Sequence, residues 1–227
     1  MFNLIIENKE IIKLFYGIVI GLICLIIVLK TDRLFRISLH QGIRYFRNAF
    51  LFFGIGFIIR YLLGALFSYE FFSYSYYPIF NILFEFFLIM AGFFLIYSLL
   101  WKKFEELHEP YRSSLLNIKI VVLYIMTFVL VFLDYIWKTY SLMFFSQIVL
   151  FVFASLISII NYIKNGEKYR FLKFYFLAML LTLSAWTLNA LALLYFNWNQ
   201  NIIISSYILN VIIFLLFLYG VVKITKK

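Results

Sequence analysis

Seven long apolar runs, separated by short polar stretches, make up almost the whole chain. The runs cover residues 11–30, 43–67, 79–101, 116–137, 142–163, 171–196 and 202–222. Each has about the 20 residues that an α-helix needs to cross the hydrocarbon core of a bilayer. None alternates polar and apolar residues as a strand of a membrane barrel does. The pattern predicts an all-α integral membrane protein, a seven-transmembrane-helix bundle that forms a single domain over residues 1–227.

The composition changes the interpretation of the chain's strong positive charge. Hydrophobic residues make up 66% of the 227 residues and charged residues only 13%, whereas soluble domains have about 25% charged residues. The formal net charge of +10 would suggest nucleic-acid binding in a soluble protein. In a membrane protein such charge sets the orientation, so we predict no nucleic-acid partner. Richness in Phe, Ile, Tyr, Lys and Asn is typical of a prokaryotic, AT-rich genome.

The positions of the basic residues predict the orientation of the bundle. Most of the 20 Lys and Arg residues lie in the connections between helices 1 and 2, 3 and 4, and 5 and 6, or after helix 7. Basic residues near spans favour the cytoplasmic side. We therefore expect a multi-pass protein of the cell membrane, with the N-terminus outside and the C-terminus cytoplasmic. The short tail after helix 7 leads us to expect no effector domain, and the first residues lack the pattern of a cleaved signal peptide.

The densest group of positive charges lies in "DRLFRISLHQGIRYFRNAF", residues 32–50. Its basic side chains recur at helical spacing: Arg33, Arg36, His40, Arg44 and Arg47. We predict a short amphipathic helix over 32–41 on the inner membrane face, with Leu34 and Phe35 directed towards lipid and Gly42 marking the break before helix 2. The arginines would then bind anionic headgroups and anchor the bundle. The alternative is a docking site for a phosphate-bearing lipid or a partner protein.

Several polar side chains lie inside the predicted spans, where they are costly and therefore informative. At 1.5 Å of rise per residue, five of them lie roughly 10 Å below the outer surface. They are Arg60, Glu85, Gln147, Asn189 and Asn210, and Trp186 adds an aromatic ring near the same level. We predict that Glu85 is the counter-ion of Arg60. The set is either the lining of an outward-facing, ligand-binding pocket or a group of contacts that fix helix register.

Two further patterns concern packing and the arrangement of the helices. Gly17 and Gly21 form a GxxxG motif, which is typical of closely packed membrane helices. Similar basic and aromatic stretches begin helices 2 and 6, and similar sequences end helices 3 and 7. These similarities suggest a parallel 3+1+3 duplication around helix 4.

Known catalytic patterns are absent from the sequence. It contains no HExxH, GxSxG, Walker A or dinucleotide fingerprint. The stretch "EELHE" at 105–109 supplies only part of a metal site, and we predict no metal. The topology resembles that of the opsins, but helix 7 has no lysine before Lys223, so we exclude a retinal Schiff base and expect no cofactor.

Four functions remain open at this point. The first is a receptor or sensor for a small ligand that acts on a separate cytoplasmic or membrane partner. The second is a small-solute transporter or channel with the 3+1+3 organisation. The third is a structural or assembly subunit of a membrane complex. The fourth, a lipid-modifying enzyme, would have only Arg44 and Arg47 to bind phosphate, so we expect that the chain is not an enzyme.

Overall fold

The computed structural model of the chain describes residues 9–64, 77–104, 115, 117–137, 141–165, 170–195 and 200–225. In these residues all regular structure is helical. The helices are α1 (Lys9–Ser38), α2 (Gln41–Phe57, continued by a π-helical segment at Ile58–Leu63), α3 (Tyr77–Phe104), α4 (Ile118–Trp137), α5 (Ser141–Asn165), α6 (Arg170–Tyr195) and α7 (Gln200–Thr225). All seven are long and apolar enough to cross a membrane. The predicted multi-pass helical membrane protein is confirmed.

The one large difference from the predicted bounds is at the end of α1. The helix runs on to Ser38, so no separate amphipathic helix covers residues 32–41. Asp32 and Arg36 stabilise this last part through an i, i+4 ion pair of 2.9 Å. The break falls at Leu39, whose φ is +50°, a backbone conformation that is uncommon for residues other than glycine.

Gly42 has a different role from the predicted one. It lies inside α2 rather than at the break, and it packs against Trp101 of α3. A Cβ atom on Gly42 would lie 2.7 Å from the Trp101 ring. The glycine is therefore required for close contact between α2 and α3 rather than for a turn.

Six of the seven helices form a closed ring. The main contacts join α1 to α2, α2 to α3, α3 to α5, α5 to α6, α6 to α7, and α7 back to α1. Helix α4 makes its main contacts with α3 and α5 and leaves most of its large apolar side chains exposed. It therefore packs on the outside of the ring, where its exposed apolar face suits contact with lipid.

Successive helices run antiparallel, which gives the bundle two distinct ends. Asp32, near the end of α1, pairs with Arg47, near the start of α2. Asn189, near the end of α6, is hydrogen-bonded to Ser206, near the start of α7. We refer to the end at which α1 begins as the N-terminal end, and to the end at which α7 finishes as the C-terminal end.

The GxxxG motif of α1 packs within the bundle, against the π-helical segment of α2. A Cβ atom on Gly17 would come closer than 3.0 Å to Cβ of Tyr61, and one on Gly21 would lie 3.1 Å from Cγ1 of Ile58. The small residues let the two backbones approach at this point. This approach places the π-helical segment, which includes Arg60, against the middle of the ring.

Candidate functional site

A cavity of about 350 Å³ lies inside the ring of six helices. Its volume falls in the range of roughly 300–1,000 Å³ that is typical of small-molecule sites. Helices α1, α2, α3, α5, α6 and α7 all contribute to its walls, and none of the described lining residues comes from α4. The cavity therefore occupies the centre of the bundle rather than a groove on its surface.

The part of the cavity towards the N-terminal end is polar. It is lined by Lys13, Arg60, Asn81, Asn189, Ser206 and Asn210, together with three tyrosines. Two hydrogen bonds tie helices together here. Nδ2 of Asn210 donates to the hydroxyl of Tyr16 at 3.1 Å, and the hydroxyl of Ser206 donates to Oδ1 of Asn189 at 2.5 Å. These bonds fix polar groups of α1, α6 and α7 at one level.

Three tyrosines from three helices meet at this polar part. The rings of Tyr16 and Tyr207 are stacked with centroids 4.3 Å apart, and Tyr61 meets them edge-on at 5.1 and 6.0 Å. Aromatic rings at such separations attract one another in these geometries. Tyr61 belongs to the π-helical segment, and such segments are frequent at functional sites. The cluster forms an aromatic wall that carries hydroxyl groups.

Arg60 lies half-buried in the same wall. Its guanidinium carbon is 4.4 Å from the ring centroid of Phe84 and 5.7 Å from that of Tyr61. In the described part of the chain it has no carboxylate oxygen within ion-pair distance, so the predicted counter-ion Glu85 interacts with it electrostatically but not in direct contact. The positive charge is stabilised by aromatic faces and faces the cavity.

Glu85 lies on a different face of α3, because one residue along a helix turns by about 100°. It follows Phe84 and shares its face with Ile82 and Ile89, which pack against α4 and α5. Its side chain is only 4% exposed and interacts with the carboxyl group of Asp134 on α4. Glu85 therefore links α3 to α4, and it interacts with Arg60 electrostatically without forming an ion pair.

Asp134 also holds the start of α5. Its Oδ1 accepts a hydrogen bond from the backbone N–H of Leu142 at 3.1 Å, and its Oδ2 accepts one from Met143 at 2.7 Å. The first N–H groups of a helix have no partner within the helix, and a carboxylate is a favourable acceptor for them. Glu85 and Asp134 thus form a polar contact that joins α3, α4 and α5 on the outer side of the ring.

Gln147 also lies away from the cavity lining. Its side chain is fully buried and passes 3.5 Å from the position that a Cβ atom on Gly92 of α3 would take. Within the described residues, neither atom of its amide group has a hydrogen-bond partner. The hydroxyls of Ser155 and Ser158, further along α5, are likewise buried without a partner among those residues.

Of the six predicted site residues, the structure brings four together. Arg60, Trp186, Asn189 and Asn210 line the cavity, whereas Glu85 and Gln147 belong to helix contacts beside it. Sequence reasoning missed the other members of the polar part, which are Lys13, Tyr16, Tyr61, Asn81, Ser206 and Tyr207. A tyrosine close to the end of a span is also what an interfacial belt requires, so the tyrosines gave no separate signal.

The opposite part of the cavity is apolar and closed. Its walls include Phe50, Phe53, Leu95, Phe151 and Phe217. Beyond them, towards the C-terminal end, Tyr45, Phe46 and Tyr175 are buried in the core. The ring of Phe46 lies 5.7 Å from that of Tyr175 and 6.3 Å from that of Phe217. The cavity is therefore amphipathic along its length and ends blindly in packed aromatic rings.

The basic side chains of residues 32–50, which we call the basic stripe, form contacts within the protein. Asp32 pairs with Arg36 and with Arg47, and the Phe35 ring lies 5.7 Å from the guanidinium carbon of Arg44 and 6.0 Å from that of Arg47. Phe35 therefore contacts arginines, where we predicted that it would point towards lipid. Arg33 is exposed. The stripe joins the end of α1 to the start of α2, and contact with headgroups stays a prediction.

Neither a metal site nor a family likeness indicates the function of the chain. The described residues contain no cluster of three or more His, Cys, Asp or Glu side chains that could hold a metal ion, and the predicted partial motif at 105–109 lies outside them. Comparison with protein-family models, curated proteins and solved structures found no match to this chain. The function must therefore be argued from the cavity itself.

Proposed function

We propose that this protein is a receptor or sensor of the cell membrane that binds a small ligand in the cavity. The observation that carries the proposal is the amphipathic cavity itself, which six helices enclose and which packed aromatic rings close at one end. In the predicted orientation, with the N-terminus outside, the polar part of the cavity lies in the outer half of the membrane. A ligand would then enter from the outer side.

The position of the cavity supports a signalling role. A ligand inside it would contact α1, α2, α3, α5, α6 and α7 at once. A ligand shifts a conformational equilibrium only through different contacts with the two states, and contact with six helices offers many such differences. The basic cytoplasmic connections would pass the change to a membrane or cytoplasmic partner.

Filling the cavity tests this proposal. Thr182 of α6 lines the cavity and Thr187 of the same helix is exposed, and both hydroxyls donate to the carbonyl four residues earlier, at 2.7 and 2.9 Å. Thr182→Phe and Thr187→Phe therefore make a matched pair. Purified protein in lipid nanodiscs would be screened against a library of small molecules by thermal unfolding. We expect compounds that stabilise the unmodified protein and Thr187→Phe but not Thr182→Phe. Equal stabilisation of both variants would place binding outside the cavity and contradict the proposal.

A transporter is the second candidate, and a specific observation favours it. Helices α1–α3 and α5–α7 form two three-helix halves of the ring, and α4, which connects them in sequence, lies outside it. This is the arrangement expected of a 3+1+3 organisation. Uptake of a compound from the screen into proteoliposomes would support transport if Thr182→Phe abolished the uptake. Binding without uptake would support the receptor.

A further inference from the structure

The charge and shape of the cavity point to a chemical class of ligand. We infer that it takes a small anionic amphiphile, with a single negatively charged head at Arg60 and an apolar body among the phenylalanine rings. This inference rests on the proposed function, because it requires that the cavity binds a ligand. It goes further by stating which groups the ligand must carry and where each of them would lie.

The negative head follows from the charges in the polar part. Arg60 and Lys13 line the cavity, and no Asp or Glu is among its described lining residues. Phe84 contacts Arg60, and the next residue, Glu85, lies on another face of α3 beside Asp134 of α4. Glu85 interacts with Arg60 electrostatically but is not part of the cavity lining. A guanidinium in a water-poor site is stabilised by a charged acceptor, and arginine binds carboxylates with two parallel hydrogen bonds. An anionic ligand would supply the acceptor that the described residues do not.

The apolar body follows from the opposite part. Phe50, Phe53, Phe151, Phe217 and Leu95 offer no hydrogen-bonding group to a ligand. A sugar or another polyhydroxylated solute would lose its hydrogen bonds to water there without replacement, which opposes binding. An alkyl chain or an aromatic ring would lose no hydrogen bonds to water. The cavity thus selects against ligands that are polar throughout.

The volume limits the size of the ligand. At about 30 Å³ for each water-sized group, a cavity of about 350 Å³ holds roughly a dozen such groups. Octanoate and 3-phenylpropionate are of this size, whereas a complete two-chain lipid is much larger. The first has the chemistry of a fatty acid delivered by the bilayer, and the second that of a water-soluble aromatic acid. Both share the anionic head and the apolar body.

Trp186 provides a reporter for binding inside the cavity. It lines the cavity, whereas Trp137 at the end of α4 is 58% exposed on the outside of the bundle. Brominated octanoate quenches indole fluorescence on contact, so it would be titrated into nanodiscs that carry the full chain. We expect a saturable quenching component that disappears in Trp186→Phe and remains in Trp137→Phe. Ligand that is merely dissolved in the bilayer would give quenching without saturation.

Competition against the brominated probe tests the two halves of the ligand separately. We expect octanoate to compete at least about tenfold better than octanol, which lacks the charge, because hydrogen bonds to charged groups are the stronger ones. Acetate, which lacks the apolar body, should not compete. The relative strength of competition by octanoate and by 3-phenylpropionate then distinguishes a ligand that comes from the lipid bilayer from one that comes from the aqueous phase. Equal competition by octanoate and octanol would overturn the inference.

Arginine variants test the position of the head. Arg60→Gln should weaken octanoate competition by about tenfold and leave octanol unchanged, whereas Arg60→Lys should retain part of the preference. Arg33→Gln, an exposed position on α1, is the matched control and should change nothing. If Arg60→Gln does not fold, the ligand series on the unmodified chain still decides the inference.

Failure of this inference can be told apart from failure of the proposed function. Absence of saturable quenching at Trp186 would overturn the anionic amphiphile. The proposed function would fail only if the compounds found in the library screen were insensitive to Thr182→Phe. A cavity that binds neutral compounds from the library, but not octanoate, would refute the ligand class alone.

Discussion

Substitution of Gly17 by alanine is the sharpest test of how the site is held in place. The Cβ atom of alanine is fixed by the backbone, so no rotamer can carry it away from Tyr61. The added carbon would lie closer than 3.0 Å to Cβ of Tyr61, whereas carbon atoms in contact are about 3.5–4.0 Å apart. Helix α1 and the π-helical segment of α2 must therefore separate by roughly 1 Å.

The size of the effect follows from two opposing contributions. Inserting a methyl group into a packed interior costs about 1–3 kcal/mol. Replacing glycine by alanine inside a helix returns up to about 1 kcal/mol, because alanine loses less backbone entropy. We expect Gly17→Ala to lower the free energy of unfolding by about 1–2 kcal/mol. The separation would also move Tyr61 away from Tyr16 and weaken ligand binding in the cavity.

The glycines of α1 and α2 supply a graded series of controls. A Cβ atom on Gly21 would meet the flexible side chain of Ile58 at 3.1 Å, and one on Gly64 would meet no atom of the described residues within 4 Å. Reversible unfolding in mixed micelles should therefore rank the alanine variants with Gly17 least stable, Gly21 intermediate and Gly64 equal to or above the unmodified chain. Equal stability of Gly17→Ala and Gly64→Ala would refute the close approach of α1 to α2.

Three further substitutions probe the polar contacts, each measured by the same unfolding assay. Asp134→Ala removes both hydrogen bonds to the start of α5 and should lower the free energy of unfolding by about 0.5–2 kcal/mol. An unchanged stability would contradict the role of Asp134 in holding the start of α5. Asp32→Asn should lower the free energy of unfolding by at most about 1 kcal/mol, because Asp32 and Arg47 are 29% and 24% exposed. This loss of stability should vanish at high salt, and a loss that does not depend on salt would argue against the ion pairs. Gln147→Met removes a buried amide without a described partner, so stability should be unchanged or higher, and a marked loss would show that the amide is bonded.

The helices and the depth of their polar residues could be predicted from the sequence. Both are properties along one dimension, since hydrophobic length gives the spans and the helical rise gives the depth. Arg60, Asn189 and Asn210 accordingly lie together in the cavity. The end of α1 was predicted poorly because its break is at Leu39, a residue with no turn preference that adopts a positive φ.

Rotation about the helix axis could not be predicted in the same way, and this explains the different positions of Arg60 and Glu85. Their equal depth suggested an ion pair, but Phe84 rather than Glu85 faces the cavity. Which of two neighbouring residues faces inward depends on the packing of the entire helix. Here Ile82 and Ile89 direct the Glu85 face towards α4 and α5.

The two interpretations of the intramembrane polar residues, pocket or helix contact, therefore apply to different residues. Glu85 and Asp134 join α3, α4 and the start of α5. Helix α4 lies outside the ring, and the contact between Glu85 and Asp134 holds this helix against α3 and α5 without contributing to the cavity. Because Glu85 is engaged there, it acts on Arg60 electrostatically without forming an ion pair with it, and the Phe84 and Tyr61 rings contact the guanidinium in the cavity wall. The contact that fixes α4 thus also keeps Glu85 out of the cavity lining, where the described charged residues are Lys13 and Arg60.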